Sequence, residues 1–241
     1  MEPHHSESQV SSTYRAGTNE RKDLRRQQLI DATIAVISRK GYTGTRLADV
    51  AAKAKVSYGV VSFYFKSKDA LLLATLQSLA DEYARVWREA VRQAGPSPAD
   101  KLKAIVAADF APDIANEKKI AVWYAFWAEA RTRPSYRKLC AQLYNDYYWQ
   151  VREFVQALID QGGYDHLDAH SVTLALNAMV DGMWLDMQIQ PREFNRDEAI
   201  RAIGLFLNQF FPREFPSEDI ARIPAQRPRR LQAPLPSGGE D

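Results

Sequence analysis

Cysteine is nearly absent: Cys140 is the single thiol among 241 residues. No internal disulfide can form, which excludes a small secreted scaffold held by cross-links. With no His or second Cys near it in sequence, Cys140 reads as a buried structural thiol. Histidine is scarce as well, with four in the chain and two of them, His4 and His5, in a polar head. No apolar run approaches the roughly 18 residues of a membrane-crossing helix. The stretch Met1 to Glu20 is polar and lacks the apolar core of a secretion signal, so the expected location is the cytoplasm, with no membrane partner. There is no Gly-rich phosphate loop, no Ser/His/Asp ordering and no Cys/His cluster, so no catalytic residue, cofactor or metal site is expected. His166 and His170 lie four apart beside Asp165 and Asp168, a superficial metal spacing, but they straddle a turn and a helix start and read as surface residues. The alternating Val- and Thr-rich pattern of strands is missing too.

What is present is helical period throughout, so the expected class is all-α. Residues 1–19 are low in apolar content and read as a disordered head. A first helix is expected from about Arg21 to Lys40, burying Leu24, Ile30, Ile34 and Ile37 and stopped by Gly41. Two short helices follow. Thr45 is placed to cap the first, whose Leu47, Val50 and Ala51 share a face. Ser57 is placed to cap the second, whose Val60, Val61 and Tyr64 share another. Lys53-Ala54-Lys55 is the short connection between them. This is a helix-turn-helix, in which the second helix offers its N-terminal residues to the DNA major groove.

The charge distribution agrees. Between Glu20 and Asp69 there are 11 Lys and Arg against 5 Asp and Glu, while the rest of the chain carries 21 against 25. A basic excess confined to one segment points to an anionic partner, and the helix-turn-helix selects double-stranded DNA over a membrane surface.

A long helix from about Lys68 to Gln93, beginning with Leu71, Leu72, Leu76 and Leu79, joins this part to a larger helical body. Gly95-Pro96-Ser97-Pro98 breaks the chain, and helices are expected near 99–109, 117–131, 134–161, 168–189 and 196–211. The segment from Pro212 to Asp241 is rich in Pro and Arg and reads as a flexible tail. Four units result: a head over 1–19, a helix-turn-helix domain over 20–67, a ligand-binding and dimerisation body over 68–211 and a tail over 212–241.

Gly59, Tyr64, Phe65, Lys68 and Leu71 stand at the spacing Gly-x-x-x-x-Tyr-Phe-x-x-Lys-x-x-Leu. With the helices around it, over about residues 21–75, this segment resembles the N-terminal domain of the TetR family of bacterial transcriptional regulators. Ser57 to Phe65, together with Trp123-Tyr124-Ala125-Phe126-Trp127 and Asp181-Gly182-Met183-Trp184-Leu185, is similar to the BetI type, the choline-responsive repressors of glycine betaine synthesis. Phe63 stands where a His is frequent in that type, and both tails fall outside the pattern.

The resemblance implies a repressor that binds a palindromic operator as a homodimer and leaves it when a small cation such as choline or betaine aldehyde binds. Candidate DNA contacts are Arg25 at the start of the first helix, Thr45 at a helix N-terminus, Ser57, Tyr58 and Gly59 opening the recognition helix, Ser62 and Phe63 one turn on, and Tyr64 and Lys68 flanking it. In the body, Trp123, Tyr124 and Trp127 cluster on one helix face, Tyr144, Tyr147 and Tyr148 on the next helix, and Trp184 lies on a third. Such rings attract quaternary ammonium ions, each contact contributing roughly 0.5–2 kcal/mol. Asp109, Glu129 and Asp181 are the carboxylates within reach of such a cage, and Asp181 joins the candidate set. The same aromatic stripes could also be ordinary core. For the dimer interface the candidates are Ala178, Met179 and Gly182 on one helix and Ile203, Leu207 and Phe210 on the next. Two other readings stay open: the same regulator with a lipophilic or uncharged effector, and a helical enzyme with an accessory DNA-binding domain.

Overall fold

The structure, a computed structural model, describes the backbone of residues 7–222 and the side chains from Glu20 onward. Ten helices and no strands occur among them: α1 (Glu7–Gly44), α2 (Leu47–Ala54), α3 (Tyr58–Tyr64), α4 (Lys68–Gln93), α5 (Pro98–Asp109), α6 (Glu117–Ala130), α7 (Pro134–Gly162), α8 (Ala169–Ile189), α9 (Arg196–Phe210) and α10 (Ser217–Ala221).

Local chemistry sets most of the boundaries. Side chains of Ser67, Ser97, Asn116, Asp168 and Asn195 each accept a backbone N–H in the first turn of the helix they precede. Pro98 and Pro134 occupy first-turn positions, where the missing N–H has no helical partner to lose. Gly163 closes α7 at φ 67, and Gly41 interrupts α1 at φ 71, so the long helix stops at Lys40 and Tyr42–Gly44 forms a separate turn.

Residues Leu29, Ile30, Val36, Val50, Ala51, Val61, Phe65 and Leu71 form a small core that packs α1 to α4 as a three-helix unit on the start of the fourth. The body has a larger core of its own, and Ile37 and Tyr42 from the end of α1 belong to it. The two parts are therefore continuous: α1 packs along α6 and against α4.

Several expectations are corrected. Arg46, not Thr45, is the N-cap of α2; Thr45 is 2% exposed and its hydroxyl donates to the Gly41 carbonyl at 2.8 Å. The positive φ at Gly41 leaves that carbonyl without a helical partner, and Thr45 supplies one. Leu24 is 66% exposed because it lies before the point where α2 and α3 cover α1. The head is not uniformly disordered: residues 7–19 continue α1, since extending a formed helix fixes one residue per hydrogen bond gained and only Gly17 opposes it. The remainder of the head, residues 1–6, lies outside the described residues. The tail likewise begins packed, with Phe215 and Ile220 buried and α10 lying against Gly204 of α9. The expected flexibility beyond residue 222 lies outside the described residues.

Candidate functional site

One candidate surface surrounds α3. Ser57 caps this helix by position only, and its hydroxyl makes no capping bond. Ser57, Tyr58, Gly59, Ser62 and Phe63 are all exposed, while Val61 holds the inner face. Phe63 is 75% exposed and meets the Tyr64 ring in a T-shaped pair, at 5.3 Å between centroids. Two large aromatic side chains, Tyr58 and Phe63, thus stand in water beside small polar ones, which marks a surface built to be covered. A Cβ added at Gly59 would meet only Ser57 Oγ at 3.8 Å, so packing within the chain does not demand glycine there. The turn before α3 is tight because Lys55 adopts the left-handed conformation, φ 55 and ψ 44, which turns α3 across α2.

Exposed cations flank the helix: Arg46, Lys53, Lys55 and Lys66 near it, and Arg21, Lys22, Arg25 and Arg26 along α1. Arg25 donates to Gln28 on its own helix at 2.6 Å and remains accessible. Asp49, on α2 beside these cations, is paired with Lys40 at 2.6 Å, and that hydrogen bond holds its carboxyl below the usual range. Two of the candidate contacts sit differently from expectation. Buried Thr45 has no hydroxyl to offer a phosphate. Lys68 is half-buried, with its ammonium 5.6 Å from the Tyr42 ring centre and 3.4 and 3.5 Å from the carbonyls of Tyr42 and Thr43, so it braces α4 on the end of α1.

The second candidate site is a cavity of about 430 Å³ in the body, lined by α4, α6, α7 and α8. Trp123, Trp127, Tyr144, Asp181 and Trp184 line it, and Tyr83, Tyr147 and Asn177 add to the wall. So do exposed Arg137 and Asn145, and Cys140, which is half-buried rather than the buried thiol expected. Trp127 stacks on Trp184 with centroids 6.3 Å apart, and Tyr83 meets Trp184 edge-on at 5.7 Å and stacks on Tyr147 at 5.8 Å. The rings are held from behind. Asp109, fully buried, accepts from the hydroxyls of Tyr83 at 2.7 Å and Tyr147 at 2.5 Å, and its carbonyl accepts from the indole N–H of Trp184 at 3.1 Å. Burial pushes the Asp109 carboxyl up to about 7 against the lowering effect of the two hydroxyls. Both tyrosines are raised well above their ordinary range, by burial first and then by the Asp109 charge.

Asp181 lines the cavity from its exposed rim, and the partial burial of its carboxyl raises it to about 6. Tyr124 and Tyr148 do not line the space. Tyr124 lies behind Trp127 and donates to the Asp181 carbonyl at 2.9 Å, which fixes α6 on α8. Tyr148 faces outward, sharing a 2.5 Å hydrogen bond with His170 Nδ1, and backs the exposed ring of Tyr144 at the cavity mouth. Glu129 is drawn away to Arg133 at 3.1 Å. Tyr147 belongs to the aromatic cluster expected on its helix, whereas Tyr83 was not anticipated, because it sits at core spacing among the leucines of α4. Asn177 carried a signal: with Thr173, Asp181 and Trp184 it repeats at helical spacing along an otherwise apolar helix.

The outward face of α8 is a third feature. Leu174, Ala178, Gly182, Leu185 and Ile189 form an exposed stripe at helical spacing, with Leu205 of α9 also exposed. Met179 and Phe210 are partly buried against the body core. Ile203 and Leu207 are buried in it, so they are core and not interface; the inward stripe of α9 closes the chain's own body.

Comparison with known proteins matches both parts. Residues 29–75 match the model of bacterial regulatory proteins of the tetR family, and residues 98–212 match the BetI-type transcriptional repressor C-terminal domain. The HTH-type transcriptional regulator BetI of Paraburkholderia phymatum is 36% identical over 192 residues, covering 78% of this chain and 93% of that protein. A transcriptional regulator of Pseudomonas aeruginosa PAO1 superposes with a TM-score of 0.70 at 23% identity, over 81% of this chain and 94% of its own. A transcriptional regulator of Saccharomonospora viridis, solved in complex with choline, superposes with a TM-score of 0.68 at 20% identity, over 76% of this chain and 95% of its own.

Proposed function

The chain belongs to the tetR family of bacterial regulatory proteins and carries a BetI-type C-terminal domain, and from that premise we propose that it is a homodimeric repressor released from a palindromic operator by a small quaternary ammonium ion, choline or betaine aldehyde. The cavity is the observation that carries this reading. Trp123, Trp127, Trp184, Tyr83 and Tyr147 turn aromatic surface toward one space, and Asp181 supplies a carboxylate at its wall. A quaternary ammonium ion is attracted to ring faces and cannot donate a hydrogen bond, so an aromatic box with one nearby anion suits it better than a polar site does. The choline complex of the Saccharomonospora viridis protein adds support, because that body has the same fold.

On the DNA side, Ser57, Tyr58, Gly59, Ser62 and Phe63 are accessible for base edges and thymine methyl groups, and Arg25 and Tyr64 for phosphates. Two such units, paired through the exposed stripe of α8, would address two half-sites related by a two-fold axis. Coupling between cavity and α3 runs through packed elements. The α6 helix lines the cavity with Trp123 and Trp127. Just past its end, Arg133 bonds Glu129 at 3.1 Å and Asp69 of α4 at 3.2 Å, and lies over the rings of Tyr42 and Tyr136. Tyr42 and Tyr136 share a buried hydrogen bond of 2.9 Å. A ligand that prefers one setting of α6 therefore biases where α1 and α4 hold the recognition helix. No described helix is long and apolar enough to cross a membrane, consistent with work on DNA in the cytoplasm.

A mobility-shift experiment on the DNA upstream of the protein's own gene tests the reading. The retarded band should form with protein alone and disappear with millimolar choline. A band indifferent to choline, together with no tryptophan quenching by it, would discard the cationic effector.

A further inference from the structure

Arg137 and Asn145 on the cavity wall are exposed, whereas Asn177 is the buried polar side chain there that the aromatic box leaves unexplained. It lies on α8, is 4% exposed, lines the cavity, and neither its Nδ2 nor its Oδ1 has a hydrogen-bond partner among the described groups. A buried primary amide with both ends unanswered is unfavourable for folding alone, so its retention on the cavity wall points to a ligand group that answers it. Asp181 follows it by one helical turn, about 6 Å along the axis, on the same face. A small cation held against Asp181 and the Trp rings therefore needs only a short arm to bring a polar atom to Asn177.

We infer that Asn177 determines effector specificity by recognising a neutral hydroxyl carried two carbons from the cationic nitrogen. The chemistry of the amide selects among polar arms. A hydroxyl both accepts from Nδ2 and donates to Oδ1, closing the two-point ring an alcohol makes with a primary amide. An aldehyde oxygen accepts from Nδ2 and leaves Oδ1 unanswered. A carboxylate answers Nδ2 as well, but it faces the Oδ1 lone pairs and the negative charge of Asp181. An alkyl arm answers neither end. The expected order is therefore hydroxyl above aldehyde, with carboxylate and alkyl arms below both. This rests on the cavity being the cation site proposed above.

Calorimetric titration of the full chain with choline, with propyltrimethylammonium (the same shape with a methyl in place of the hydroxyl) and with glycine betaine tests it. Wild-type protein should bind choline about 10- to 100-fold more tightly than the propyl analogue, the range expected when a buried pair of polar groups is left unpartnered. In Asn177→Leu, whose side chain has similar volume and no polar atom, that preference should vanish or reverse while the propyl analogue still binds. Because the first comparison uses the wild-type chain, it stands even if the variant folds poorly. Equal affinity of wild type for choline and the propyl analogue, or an undiminished preference in Asn177→Leu, would overturn the hydroxyl assignment and leave the cation site intact. Failure of both cations to bind wild type at millimolar concentration would overturn the assignment and the cation site together.

Discussion

Gly59 and Asp181 illustrate how single residues divide between fold and function. At Gly59 a methyl group has open space, so Gly59→Ala should keep the fold and raise stability by about 0.5–1 kcal/mol, as alanine does inside a helix. The same methyl stands on the surface assigned to DNA. The variant should show a slightly higher melting temperature and weaker operator binding in a mobility shift; unweakened binding would remove Gly59 from the contact surface. Asp181 governs pH dependence. Its carboxyl at about 6 and that of Asp109 at about 7 keep protons that the unfolded chain releases near pH 4, so both lower stability as pH rises through that window. Cation binding runs the other way, because the ionised carboxylate attracts the ligand. Choline affinity should drop by up to about tenfold between pH 7.5 and 5, and Asp181→Asn should flatten the part of that dependence centred near 6. A wild-type affinity constant over this range would exclude Asp181 from the site.

At the scale of elements, the junction of α6 and α7 with the ends of α1 and α4 is the place where the body grips the DNA-reading unit. Arg133 is central to it, through two carboxylates and two tyrosine rings, yet it is partly exposed and contributes little to stability. Arg133→Ala should therefore bind choline and operator DNA nearly as wild type does while needing more choline to release the DNA. Calorimetry paired with mobility shifts separates the two effects, and normal release would place the coupling elsewhere. Most helix ends lie near the positions expected from the sequence because end signals are local: Gly41 and Gly95-Pro96-Ser97-Pro98 act over a few residues, as do the caps that the structure adds at Ser67, Ser97, Asn116, Asp168 and Asn195. Thr45 misled because its partner, the Gly41 carbonyl, became available only through a kink whose geometry depends on how the turn Tyr42–Gly44 meets the body. Lys68 was legible as a cation, but its seat over Tyr42 required α1 and α4 to be brought together.

For the molecule as a whole, the outward stripe of α8 sets the expectation for assembly. Leu185→Glu should place a charge in the proposed two-fold interface, yielding a monomer by sedimentation at micromolar concentration and losing tight binding to a two-half-site operator while keeping its helical content. A dimer that persists in Leu185→Glu would move the interface off this face. Ile203→Glu should instead unfold the body, because Ile203 is fully buried in it. The periodicity of α9 could not distinguish these outcomes, since an apolar stripe records that something covers a helix and not which chain provides the cover. The aromatic box was partly legible for the same reason. Trp123 and Trp127 announce a cluster, as do Tyr144 and Tyr147, but Tyr83 and Asn177 join it from helices far apart in sequence.

The sequence by itself determined most of the helices and most of their ends, the basic helix-turn-helix and the family motif around Gly59, Tyr64, Phe65 and Lys68, because these rest on spacing and on contacts within a few residues. The tertiary structure decided which stripe of α9 is core, where Lys68 and Thr45 point, that Asp109 holds three rings of one cavity, and that Asn177 is left there without a partner. Those depend on which distant segments meet, and burial, the quantity that sets both pairing and pKa, exists only after they have met.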